Sequence, residues 1–381
     1  MKKNFLFATL IVILFGCASV RKTTGDEKIA ISQIKMIGEY DVPHNFLFNN
    51  TTVGGLSGID YDSTKGLYYL ISDDRSAINA ARYYTAKIFL NEKKIDSVVF
   101  VNVTTLLKEN GKPYPNSKQD PVHTPDPEAL RYNPVTNQMI WTSEGERIVK
   151  GKDIVLENPA ITRITPDGKY IDTFPLPTNL LMHATENGPR QNGVLEGMSF
   201  ADHFKTLYVN VEEPIYEDGP RADVIENNAW IRIFKFDVAS KKNIAQYAYK
   251  LDPVAYPATP ADAFKINGIP DILSIGNNQL LVLERSFSTG RLPCTIKIFL
   301  TDLTGATDIK NITSLKETPA ARTATKKLLL NMDALGIYVD NVEGITFGPT
   351  LPNGHRTLLL VADNNFAVFE KTQFFLFEII P

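Results

Sequence analysis

The sequence predicts an all-β chain folded as a β-propeller of about five four-stranded blades, six being possible, closed by N- and C-terminal strands that share one blade. Three observations carry this expectation. A strand-opening pattern recurs five times at near-constant spacing. Each opening leads across a turn into a second apolar run. Gly and Pro number 23 each in a chain that is 10% aromatic, the composition of short strands joined by tight turns.

The N-terminus comes first. Met1-Lys2-Lys3 is basic, and Phe5 to Phe15 is an apolar run of 11 residues, short of the roughly 20 that span a bilayer. This is the pattern of a signal peptide. The run ends Leu14-Phe15-Gly16-Cys17, similar to a bacterial lipobox, so Cys17 is expected to be acylated and to begin the mature chain; the alternative is a plain secretory signal in which Cys17 is incidental. The expected division is a signal peptide over 1–16, a polar tether over 17–30 and one propeller domain over 31–381. The lipid bilayer is then a partner through the acyl anchor, and the domain is extracytoplasmic, in the periplasm or on the outer membrane. Cys294 is the only other cysteine and reads as a buried apolar residue.

The openings are Leu56-Ser57-Gly58-Ile59, Pro127-Glu128-Ala129-Leu130, Leu195-Glu196-Gly197-Met198, Pro270-Asp271-Ile272-Leu273 and Val342-Glu343-Gly344-Ile345. Their second residues are 71, 68, 75 and 72 positions apart, a spacing that marks a repeat architecture. The second runs are Leu67 to Ile71, Met139 to Thr142, Leu207 to Val211, Leu280 to Leu283 and Leu358 to Val361. Third strands are expected over 84–90, 160–165, 230–237, 295–302 and 372–380. Fourth strands are expected over 95–103, 169–176, 243–251 and 306–315. The last unit lacks a fourth strand, which residues 32–42 can supply. Insertions are expected at 105–125, 179–192 and 318–341, the last holding a short helix over 323–335.

Charge is patterned on this repeat. The second runs end at Asp73, Glu144, Glu212, Glu284 and Asp363, and the openings carry Glu128, Glu196, Asp271 and Glu343. The start of a first strand and the end of a second lie on the same face, so these carboxylates are expected at one mouth of the central channel, with Asp74, Glu146 and Glu213 nearby. Confined carboxylates need compensation. Arg75, Arg147 and Arg285 supply some of it, and a hard divalent cation, Ca²⁺, would supply the rest through oxygen ligands. The expected metal ligands are Asp73, Asp74, Glu128, Glu144, Glu196, Glu212, Asp271, Glu284, Glu343 and Asp363. A bland alternative makes the repeated acids staples between blades. Five scattered histidines disfavour zinc. A net charge of −3 without a Lys/Arg block disfavours nucleic acid.

The openings, together with Ser72-Asp73-Asp74-Arg75, Ser143-Glu144-Gly145-Glu146-Arg147, Leu283-Glu284-Arg285 and Ala362-Asp363-Asn364-Asn365, resemble the family called esterase-like activity of phytase, over about 54–381. The resemblance implies architecture related to β-propeller phytases, which hold several Ca²⁺ ions in an acidic mouth and hydrolyse phosphate monoesters by water attack. It would make Arg75, Arg147 and Arg285 ligands of substrate phosphate. The expected catalytic set is Glu144, Glu146, Arg147, Asp73 and Arg75. The expected partner is a small-molecule ester or phosphate ester, handled by a monomer. The alternatives are a non-catalytic binding propeller and a Ca²⁺-dependent lactonase or acyl esterase.

Overall fold

The computed structural model describes residues 29–91 and 94–381, so the predicted signal peptide, Cys17 and most of the tether lie outside the described residues. Five antiparallel sheets follow one another along the chain as the five blades of a propeller. Blade 1 is built from Leu56–Asp62, Leu67–Ser72, Arg82–Leu90 and Ile95–Thr105. Blade 2 holds Pro127–Asn133, Gln138–Ser143, Ala160–Ile164 and Tyr170–Thr173. Blade 3 holds Leu195–Ala201, Thr206–Val211, Trp230–Asp237 and Asn243–Lys250. Blade 4 holds Ile272–Gly276, Gln279–Ser288, Thr295–Asp302 and Thr325–Asn331. Blade 5 holds Asn341–Phe347, Thr357–Asp363 and Thr372–Ile380, and Gln33–Val42 completes it as the fourth strand. Gln33 pairs with Ile380 and Val42 with Thr372, so the chain enters at the face opposite the mouth. Ring closure by both termini removes a free sheet edge. Residues 29–381 therefore contain every blade and both closing strands.

The blades cohere through apolar layers between neighbours. Leu273, Ile275, Leu281 and Ile296 of blade 4 pack with Val342, Ile345, Leu358 and Phe375 of blade 5, all buried. The inner strands crowd the channel, which explains the Gly that follows the acidic residue in two openings. A Cβ on Gly197 would stand 2.4 Å from Asp271 Cα, and one on Gly344 would stand 3.0 Å from Ile59 N.

Two expectations fail in blade 4. Residues 306–315 are not its fourth strand. Their apolar residues Ile309 and Leu315 pack as a loop against Ala248 of blade 3. The expected helix at 323–335 is instead the fourth strand, Thr325–Asn331, followed by a single 3₁₀ turn at Met332–Leu335. The Leu-Leu-Leu run pairs with Thr295–Asp302, a sheet edge that helix propensity cannot see. Further elements lie outside the plain repeat, among them a short hairpin of Leu47–Phe48 and Thr51–Thr52 and a 3₁₀ turn at Thr178–Leu180. A hairpin of Glu146–Lys150 and Asp153–Glu157 is inserted in blade 2. Lys265–Gly268 pairs with the unusually long second strand of blade 4.

Candidate functional site

The pairing registers show how the acidic residues reach the mouth. In blades 2, 3 and 5 the ladder between first and second strands shifts at the opening, between Pro127 and Leu130, Leu195 and Met198, and Val342 and Gly344. Glu128, Glu196 and Glu343 sit in these bulges, which turn a side chain away from the regular alternation. They line a cavity of about 800 Å³ together with Asp73, Asp126, Glu144 and Glu212. In all, nine carboxylates and three guanidinium groups line it.

Asp126, Glu128 and Glu144 form the tightest group, each offering one oxygen within 4.8 Å of the others. Glu144 accepts the Val194 amide at 2.6 Å, and a side-chain hydrogen bond shared with Glu196 lowers Glu144 while raising Glu196. Burial, then repulsion from Glu212, raises Glu144 to about 6. Burial and neighbouring carboxylates hold Asp73, Asp126, Glu128 and Glu196 well above the usual carboxylate range. Burial pushes Glu343 to about 8, with Arg285 opposing and Asp363 reinforcing. Asp363 is fully buried, and neither of its oxygens meets a donor in full hydrogen-bond geometry. The amides of Asn364 and Asn365 only moderate its upward shift, while burial and Asp73 drive it. Such a site holds fewer protons, and more charge, when a cation is bound. Its donors are hard oxygens throughout, as a calcium-type ion requires.

Two of the three arginines at the cavity are held by carboxylates, while the third, Arg291, donates to the Pro293 carbonyl and approaches Asp333 at 3.7 Å. Arg285 donates to Glu212 at 2.5 Å and Glu343 at 2.9 Å, and also to Asn341. Arg75 pairs with Glu146, approaches Asp126 at 3.7 Å and donates to the Thr124 carbonyl.

The structure does not bring every expected residue to the cavity. Arg147 turns outward: its guanidinium donates to the carbonyls of His183 and Thr185 and lies over the Tyr216 ring. Asp74 pairs with the buried Arg82 at 2.7 Å and accepts three backbone amides of its own turn. Glu284 accepts Tyr249 Oη of blade 3 and Asn267 Nδ2 and Lys326 Nζ of blade 4. Asp271 precedes its strand, outside any bulge, and accepts Arg131 Nη2 on both oxygens at 2.7 Å. Arg131 also donates to the Ile59 carbonyl, so this pair ties blades 1, 2 and 4 together across the channel. Glu213 meets Arg221 at 2.8 Å. Ser57, the gap in the acidic series, donates to the Glu128 carbonyl at 2.8 Å and is a staple between blades. None of the five histidines lines the cavity.

Asp126 was not among the expected ligands. Its signal lay two residues before the opening acid: there blade 2 has Asp126 and blade 5 has Asn341, whereas the other blades have Gly55, Val194 and Ile269.

Fold and site together define a five-bladed β-propeller with a cluster of carboxylates at its channel mouth. Residues 51–366 match the phytase-like family described as esterase-like activity of phytase, and the chain belongs to that family. It is thus a propeller of hydrolase type. Solved structures of similar shape include a periplasmic gluconolactonase from Pseudomonas aeruginosa, at 9% identity and TM-score 0.36 over 84% of each chain. A gluconolactonase from Xanthomonas campestris has 11% identity and TM-score 0.35, over 85% of this chain and 86% of that one. An endo-arabinase from Bacteroides thetaiotaomicron has 12% identity and TM-score 0.43, over 90% and 97%. No curated protein matches the sequence.

Proposed function

We propose that the protein is an extracytoplasmic, membrane-tethered monomeric hydrolase that cleaves carboxylic esters, lactones included, with a calcium-type cation at the acidic mouth. The observation that carries this reading is the Asp126–Glu128–Glu144 group, in a cavity shared with Asp73 and Glu196, which form no ion pair among the described residues. Asp126, Glu128 and Glu144 would hold the ion. Bound there, it would supply Lewis-acid charge to an ester carbonyl. Glu196, hydrogen-bonded to Glu144, would help fix that carboxylate's orientation. Asp73 lines the same cavity with no ion-pair partner among the described residues, which suits it to take a proton from the attacking water. Arg285 locks Glu212 and Glu343 in place.

The commitment of Arg75 and Arg285 to carboxylates, and of Arg147 to a loop, leaves these three without a free face for phosphate. That moves the reading from a phosphate ester to a carboxylic ester. The phosphate reading is kept second by the excess of carboxylates, which several bound cations would convert into a positive mouth. The test is turnover by residues 29–381 of p-nitrophenyl acetate, a δ-lactone and p-nitrophenyl phosphate, in calcium and in EDTA. Calcium-dependent turnover of the first two supports the proposal. Turnover of phosphate alone selects the second reading, and no turnover on any substrate overturns a hydrolase.

A further inference from the structure

Part of the cavity wall is lined by apolar side chains, contributed by blade 4 and by loops of blades 4 and 5, with Arg291 and Glu370 among them. The second strand of blade 4 runs on beyond Glu284 to Ser288, and Lys265–Gly268 pairs with that extension, Ile266 opposite Phe287. No other second strand continues in this way. The extension places Phe264, Ile266 and Phe287 on the cavity, and the loops at Leu292 and Phe369 add to the same lining. The Phe264 and Phe287 rings lie 6.2 Å apart. Leu292 and Phe369 are each 67% exposed and Phe264 is 54% exposed. Large apolar side chains left open beside a polar centre mark a ligand groove.

We propose that this wall binds the apolar acyl or aryl group of the substrate, so that medium-chain or aromatic esters are preferred over acetate. The inference rests on the ester-hydrolase reading above. The occupant is set by continuity: the wall and the Asp126–Glu128–Glu144 group line one cavity of about 800 Å³, room for a ligand with one apolar and one ester end. In the reaction the water oxygen bonds to the acyl carbon and the acyl C–O bond breaks. One water proton goes to the departing alkoxide, and the products are a carboxylic acid and an alcohol.

The test is kcat/KM for p-nitrophenyl acetate, butyrate and octanoate in calcium, with Leu292→Ser, Phe369→Ser and Phe264→Ser. These side chains are half or more exposed, so the variants fold. The expected result is a rise with chain length, and a loss in each variant about tenfold greater for octanoate than for acetate. Ester turnover that is flat with chain length, or a preference the variants leave intact, overturns this inference and spares the hydrolase reading. If no ester turns over, the ester-hydrolase reading fails and binding decides the wall: N-phenyl-1-naphthylamine displaced by methyl octanoate, in wild type but not in the variants, upholds an apolar acyl site, and no displacement overturns it.

Discussion

Blades 2 and 4 carry acids at the same two repeat positions, Glu128 and Glu144 in one, Asp271 and Glu284 in the other, yet the pairs have opposite fates. Asp271 is gripped by Arg131 and by the Ile345 amide at 2.9 Å. Glu284 is surrounded by Tyr249, Asn267, Lys326 and the Asp252 amide. Glu128 and Glu144 instead face a cavity with other carboxylates. The difference begins in the backbone. The blade 2 opening is bulged at Glu128 and Ala129, whereas the blade 4 strand starts after Asp271 and shifts register only at its far end, between Ser274 and Gly276. Repeat position fixes where an acid starts; local register and partners decide whether it serves stability or ligand chemistry.

Removing the partner on the structural side has the largest expected effect. Arg131→Met leaves Asp271 buried without its cation, and should cost about 3–5 kcal/mol in urea unfolding. A loss under about 1 kcal/mol would put the two blades on the same footing. On the ligand side the sign reverses. Glu128→Gln should raise the melting temperature in EDTA, by removing repulsion, while weakening calcium binding at least about tenfold by calorimetry. Destabilisation in EDTA would make Glu128 a staple like Asp271.

A pH series sharpens the contrast. Glu144 and Glu343 have folded values raised from 4.5 to about 6 and about 8. A raised value means the folded state binds more protons than the unfolded chain. The metal-free protein is then most stable below about pH 4.5 with respect to these groups and loses that stability as pH climbs toward 8. Calcium should cancel the loss, so the melting-temperature gain from calcium should grow from pH 5 to pH 8. A gain independent of pH would remove these carboxylates from the site. The smallest effect belongs to Arg147→Ala. Its guanidinium serves an exposed loop, and the change should move stability by less than about 1 kcal/mol and leave calcium-dependent turnover within about twofold.

Much of this was legible in the sequence because repetition copies it. All five openings are inner strands, and the N-terminal strand expected at 32–42 closes blade 5 as Gln33–Val42. What the repeat does not copy was harder to read. Ile309 and Leu315 alternate like a strand because they fill a hollow against Ala248, and Lys326 to Leu330 reads as helix until a neighbouring edge is present. At the site, the acidic positions were visible but not their partners. Tyr249 lies 35 residues from Glu284 and Arg131 lies 140 residues from Asp271, separations that only the closed ring collapses. The apolar wall stayed hidden because Phe264 and Leu292 fall in segments without periodicity.

The entry of the chain at the face opposite the mouth bears on orientation. Ser32 donates to the Ile380 carbonyl at the far end of blade 5, so a pull on the N-terminus acts on the base of the ring. With the proposed acyl group on Cys17, the dozen or so residues before Ile29 extend to about 40 Å at most. If so anchored, the molecule would turn its rim to the surrounding fluid. It would harvest esters arriving from that fluid, and those dissolved in the supporting leaflet would lie behind it.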